Sequence, residues 1–336
     1  MELENIKLIG ENQTKKRKKK IDSLLDLQGV GKATLKRLNK AGIYKPKDLL
    51  LYSVEEICQR TLLTENTAKS LISQALGESS RFPFSSSKEA YEEEKKAKYY
   101  FRLTTSSENL DDLLGGGIEK GAITELFGES KTGKSQIAHQ LAVNVQLSCE
   151  NGGLQGKTIY IDTENKYSKF RIIQMSESSG MDHVIALSNI IEVNTYSSDM
   201  LRFALLQTPE LIEKNNVKLL VVDSIINHIR NEFAGSNDHK NRQAKLSNII
   251  YEIKKLSWKY KDLAIVITNQ VSNNPDVFYG NPIRACGGNV LAHQSTHRIF
   301  LRKGKGNQRV AKIISSPYLP EEEEYFIINE EGIRDY

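Results

Sequence analysis

Eight consecutive residues, Gly128-Glu129-Ser130-Lys131-Thr132-Gly133-Lys134-Ser135, satisfy the pattern G-x-x-x-x-G-K-[ST]. That spacing suits the cradling of a polyphosphate. Glycines let backbone N–H groups close around phosphate oxygens, and a helix opening at the lysine adds a favourable dipole. Lys134 is expected to reach the β- and γ-phosphates, and Ser135 to ligate Mg²⁺. An apolar run, 122–127, precedes the motif and an amphipathic stretch, 136–147, follows it. This is the strand-loop-helix setting that the pattern requires.

Three more strand-like runs end in residues suited to act on such a phosphate. Lys218-Leu219-Leu220-Val221-Val222-Asp223 closes an apolar strand with an acid placed to hold Mg²⁺ through water. Tyr160-Ile161-Asp162-Thr163-Glu164 delivers Glu164 at a strand's C-terminal end, where α/β sheets put ligand sites. Glu164 is then either a base for an attacking water or a solvated loop acid. Ile265-Val266-Ile267-Thr268-Asn269-Gln270 ends in two amides. Gln270 either senses the γ-phosphate or caps the strand.

The elements that must position these residues follow from periodicity. Residues 122–127, 158–162, 219–223, 264–268 and 297–301 read as strands, alternating with amphipathic stretches such as 136–147 and 245–260. The alternation predicts an α/β fold with a mainly parallel sheet over residues 101–336. Residues 21–77 read as a small all-α domain, with helices at 21–27, 33–38, 46–52 and 65–76. Gly29-Val30-Gly31 between the first two completes a helix-hairpin-helix pattern. Its turn either binds a DNA phosphate through backbone N–H groups or is a simple tight turn. Residues 78–100, serine-rich around Phe82-Pro83-Phe84 and then charged, read as a linker. Residues 231–241 and 271–288 read as long loops that follow strands. Arg230, Arg242, Phe278, Arg284, Gly287 and Gly288, in or beside them, suit single-stranded nucleic acid or plain surface loops.

Composition narrows the class. A chain of 336 residues holds about two domains. With 26% charged and 39% hydrophobic residues it reads as globular, and no apolar run approaches the ~18 residues of a membrane span. No secretory signal is visible at the N-terminus, so a cytoplasmic protein is expected. Three separated cysteines suggest neither a disulfide framework nor a zinc site. Residues 1–20 hold seven basic and three acidic residues, four of the net +5. They read as a disordered basic arm, either a solubilising tail or a contact for phosphates.

Taken together the motifs resemble the archaeal RadA recombinases and their eukaryotic strand-exchange relatives, over roughly residues 21–336. The landmarks are residues 26–31, Leu110-Asp111-Asp112-Leu113-Leu114-Gly115-Gly116-Gly117, 128–136, 160–165, Val222-Asp223-Ser224, Thr268-Asn269-Gln270-Val271, Gly287-Gly288-Asn289 and 301–306. The resemblance implies a RecA-type P-loop ATPase core behind a DNA-binding domain, with ATP and Mg²⁺ as cofactors. It implies homo-oligomers, as helical filaments or rings, on single-stranded DNA that is paired with a homologous duplex, and with them a nucleoid-associated protein. Carried over by position, residues 128–136, Gln136 among them, and Arg171 bind the nucleotide. Lys134, Glu164 and Gln270 are then catalytic, and Ser135 and Asp223 serve Mg²⁺.

Five positions depart from the family pattern: Ser130 for Phe, Ser168 for Arg, Ser236 for Arg, Ser315 for Asp, and, in ungapped register, Ser87 for the Phe of the linker's Phe-x-x-Ala polymerisation motif, which Phe84 or Phe82 could replace only with a shift. Two functional readings stand: a strand-exchange recombinase, or a recombinase paralogue that is a DNA-binding ATPase forming no long filaments.

Overall fold

The structure, a computed structural model, describes residues 21–77, 86–96, 101–235, 238–273 and 283–336. The basic arm, Ser236, Phe278 and most of the linker lie outside the described residues. The chain divides into two compact units, residues 1–83 and 84–336.

In the first unit Ser23 and Asp26 cap each other's backbone around one 3-10 turn, Leu24–Asp26. The helix expected over residues 21–27 is therefore a single turn, because Ser23 starts it late and Gly29, at φ 88°, follows at once. The helix Lys32–Lys40 opens at Gly31, Pro46–Leu51 is 3-10, and Val54–Thr61 and Glu65–Leu76 complete the unit. Leu24, Leu38, Ile43, Leu49, Ile57 and Leu71 are fully buried at its centre. The side chain of Gln74 accepts from Gln28 N at 2.6 Å and donates to Gln28 O at 3.2 Å, tying the Gly29 turn to the last helix.

The second unit carries eleven strands among the described residues: β1 (Ile123–Gly128), β2 (Lys157–Asp162), β3 (Ile190–Asn194), β4 (Val217–Asp223), β5 (Ala264–Asn269), β6 (Val271–Asn273), β7 (Ile283–Ala285), β8 (His297–Lys303), β9 (Gln308–Ser315), β10 (Glu323–Asn329) and β11 (Gly332–Arg334). Nine form one sheet in the order β11-β10-β9-β8-β1-β5-β4-β2-β3. The six from β8 to β3 are parallel, and β9, β10 and β11 extend it antiparallel. Buried side chains alternate between the two faces: Leu219 and Val221 of β4 join one apolar cluster, Leu220 and Val222 the other. Both faces are covered, so the central strands are apolar throughout.

Both described ends of the loop expected over residues 271–288 carry regular structure. β6 and β7 pair antiparallel, Ser272 opposite Arg284, and the helix Gly288–Gln294 follows.

Register aligns the strand ends. Asp162 lies opposite Asp223, Val222 opposite Ile267, and Phe127 opposite Asn269. Gly128, Glu164, Asp223 and Gln270 thus emerge along one edge of the sheet, where β1 neighbours β5 rather than β2.

Candidate functional site

A cleft of about 750 Å³ opens at that edge, lined by residues 128–136 together with Glu164, Lys166, Asp223, Arg230, Gln270 and Val271. Its floor is the loop between β1 and the helix Lys134–Asn144. A Cβ at Gly128 would strike the carbonyl oxygen of Leu301, and one at Gly133, at φ 108°, would come within 2.9 Å of Ile328 Cδ1. Gly128 is therefore required by space, against backbone, and Gly133 by its left-handed φ. Gly133 caps the helix without a side chain, so the helix N-terminus faces the cleft open to an anion. Lys134 Nζ donates to the carbonyls of Gly128 at 2.9 Å and Glu129 at 2.7 Å. Burial lowers its ammonium pKa against the pull of Asp223 and Glu164.

Across the cleft Asp223 is buried. Its Oδ2 accepts from Tyr160 Oη at 2.9 Å and its Oδ1 from Thr268 Oγ1. Burial and the adjacent carboxylate push the Tyr160 phenol well above its usual pKa, so Tyr160 stays a donor. With both oxygens engaged, Asp223 is placed to support a hydrated cation rather than to enclose a bare one. Hydroxyl and carboxylate oxygens at Ser135 and Asp223 are the hard donors that suit Mg²⁺, so the residues present fit a magnesium triphosphate.

Glu164 is held on three sides. Its Oε1 accepts from Gln270 Nε2 at 2.7 Å and Ser224 Oγ at 2.9 Å, and its Oε2 from Lys166 Nζ. Burial alone would raise its pKa. Those donors, Lys166 foremost, outweigh burial and leave the carboxyl below its usual range. The backbone N–H groups of Glu164 and Tyr167 both donate to Asp162, fixing the loop after β2. Sequence reasoning missed Lys166, Ser224 and Tyr160. Lys166, two residues past Glu164, was within reach of it; Ser224 and Tyr160 meet their partners only through strand register.

Asn269 Nδ2 bridges Glu125 Oε1 at 2.7 Å and the Cys286 carbonyl at 2.8 Å, tying β5 to the base of the segment beyond it. The remaining candidates lie apart from the cleft floor. Arg171 is turned away, donating to Gln136 Oε1 at 2.7 Å and to the carbonyls of Glu330 and Asn329. Arg242 and Arg284 are exposed, near the start of the helix His239–Lys259 and on β7. Gly287, at φ 87°, packs against Leu291 and Leu246, and Gly288 begins the next helix. Gly29, Val30 and Gly31 belong to the other unit. Phe278 lies outside the described residues.

The Rad51 family profile matches residues 96–336. The chain belongs to the Rad51 family. A SAM-like helix-hairpin-helix tandem matches residues 21–75 of the helical unit. The DNA repair and recombination protein RadA of Aeropyrum pernix is 40% identical over 318 residues, which cover 95% of this chain and 98% of that relative. The resemblance read from the motifs is therefore the family found, and the α/β core behind a helix-hairpin-helix unit is the fold expected. No helix among the described residues is long and apolar enough to cross a membrane.

Proposed function

We propose that this Rad51-family chain is an ATP-dependent recombinase of DNA repair, which binds single-stranded DNA, assembles on it and pairs it with a homologous duplex. The observation that carries the reading is one continuous contact. Glu164, the candidate base, is bonded to Gln270, and Gln270 to Arg230. Nucleotide chemistry and the segments suited to DNA thereby share side chains.

Within that reading Lys134 neutralises charge on the β- and γ-phosphates, and the backbone N–H groups of residues 129–135 orient them. Mg²⁺ would supply Lewis-acid neutralisation of the triphosphate, with Ser135 and Asp223 as its protein oxygens. Glu164 orients the attacking water and takes its proton. Arg171 fixes Gln136 beside the nucleotide. Arg242, Arg284 and the Gly287-Gly288 turn contact the single strand, and Gly29-Val30-Gly31 contacts duplex phosphates. The test is strand exchange between a labelled single-stranded oligonucleotide and a homologous duplex, with ATP and Mg²⁺. Product is expected from the wild type and none from Lys134→Ala. Product formed equally by both would overturn the reading.

A second reading, an accessory DNA-binding ATPase without long filaments, is favoured by Ser87, where the family's linker carries Phe, and by Ser236, where its first DNA loop carries Arg. Turnover without strand exchange would favour it.

A further inference from the structure

Arg230 ends one turn of the helix Asn227–Glu232, and Gln270 follows β5 forty residues on. The guanidinium, itself exposed, donates from Nη1 to Gln270 Oε1. The other end of the same amide donates to Glu164 Oε1 at 2.7 Å. An amide plane is rigid, so anchoring its oxygen on Arg230 aims its NH₂ at the carboxylate. Ser224 Oγ occupies the same carboxylate oxygen at 2.9 Å, and Lys166 occupies the other. A carboxylate that already accepts three hydrogen bonds, on about four acceptor sites, is a weakened proton acceptor. In this arrangement Glu164 is restrained.

We propose that Arg230 is a positioning residue that restrains turnover: it holds Gln270 on Glu164, and a nucleic-acid phosphate that claims the guanidinium releases the amide. A phosphate binds a guanidinium through two charge-assisted bonds, which a neutral amide oxygen cannot match. The helix Asn227–Glu232 therefore reports DNA to the base by competition for one side chain. This inference rests on the reading of Glu164 as the base, and it adds the device by which a phosphate strand changes that base.

The test uses the full chain and poly(dT), with steady-state ATP turnover measured as kcat and KM. Arg230→Ala is expected to raise kcat without poly(dT) about fivefold, the worth of one net hydrogen bond, with KM for ATP unchanged. Stimulation by poly(dT) shrinks by the same factor. Arg230→Lys keeps a charged donor and returns kcat toward the wild-type value. An Arg230→Ala kcat that is unchanged or lower without poly(dT) overturns the proposal, whether or not poly(dT) binding weakens, because Arg230 is then a DNA ligand only. Failure of the underlying reading looks different: Glu164→Gln would turn over ATP as fast as wild type, whatever Arg230 does.

Discussion

With Glu164 as the proposed base, its protonation sets the pH dependence of turnover. Burial favours the neutral acid, while donors from Lys166, Gln270 and Ser224 favour the carboxylate and prevail. A group whose pKa is lowered stays ionised as pH falls, until the lowered value is reached. The acid limb of ATP turnover is therefore expected below the ordinary carboxylate range. Lys166→Ala removes the donor that contributes most against burial, so the pKa rises and the limb moves to higher pH. Profiles of kcat against pH for wild type and Lys166→Ala decide it; a limb that stays in place would disconnect Lys166 from the ionisation of Glu164. Glu164→Gln keeps the shape and the contacts from Gln270 and Ser224, gives up the one from Lys166, and cannot take a proton. It is expected to retain nucleotide binding, seen by fluorescence titration, and to lose about 10²–10⁴ of turnover.

At the scale of elements, what could be read in advance depended on whether the determinant was local. The loop 128–135 was legible because each residue's part is set by its neighbours: glycines where a Cβ collides, a lysine at the helix start. β2, β4 and β5 were legible as apolar runs, being buried on both faces. β9 and β10 were not, because at the antiparallel end of the sheet Arg309, Lys312 and Glu323 interrupt the apolar pattern. The helix Val54–Thr61 was missed although Ser53 and Glu56 form its capping box, since its eight residues show one short apolar stripe. Contacts between distant segments had no local trace: Gln270 meets Glu164 across 106 residues, and Gln74 meets Gln28 across 46. The second of these governs the helix-hairpin-helix turn. Gln74→Ala removes both bonds to the Gln28 backbone and is expected to destabilise the helical unit by about 1 kcal/mol, read by thermal denaturation of the full chain. Duplex affinity should fall with it, while ATP turnover without DNA stays constant. Unaltered duplex affinity in a variant that melts earlier would remove this turn from DNA contact.

For the whole molecule the open matter is assembly. Four of the five net positive charges fall in residues 1–20, so the rest of the chain is near neutral, and the proposed function assigns its phosphate contacts to local cations such as Arg242 and Arg284. Each cation engaged adds about 0.7 to the slope of log affinity against log salt on a single strand. Binding side by side on the strand adds affinity beyond those contacts, and it requires contact between subunits. The family places a Phe in the linker where this chain has Ser87, the first residue of the helix Ser87–Lys96. That helix start is fixed locally: Ser86 N donates to Glu89 Oε2 at 2.8 Å, and Glu89 N to Ser86 Oγ at 3.2 Å. A missing buried aromatic can cost roughly 2 kcal/mol or more at an interface, and a filament repeats that cost at every junction. Electron microscopy with ATP, Mg²⁺ and single-stranded DNA is nevertheless expected to show long helical filaments, because the proposed function draws on the contact from Glu164 through Gln270 to Arg230, which this chain has. If so, contacts elsewhere support assembly and Ser87→Phe leaves filament length unchanged. Discrete particles that Ser87→Phe converts into filaments would place the deficit at that residue, and the accessory ATPase would become the better account of the wild-type chain.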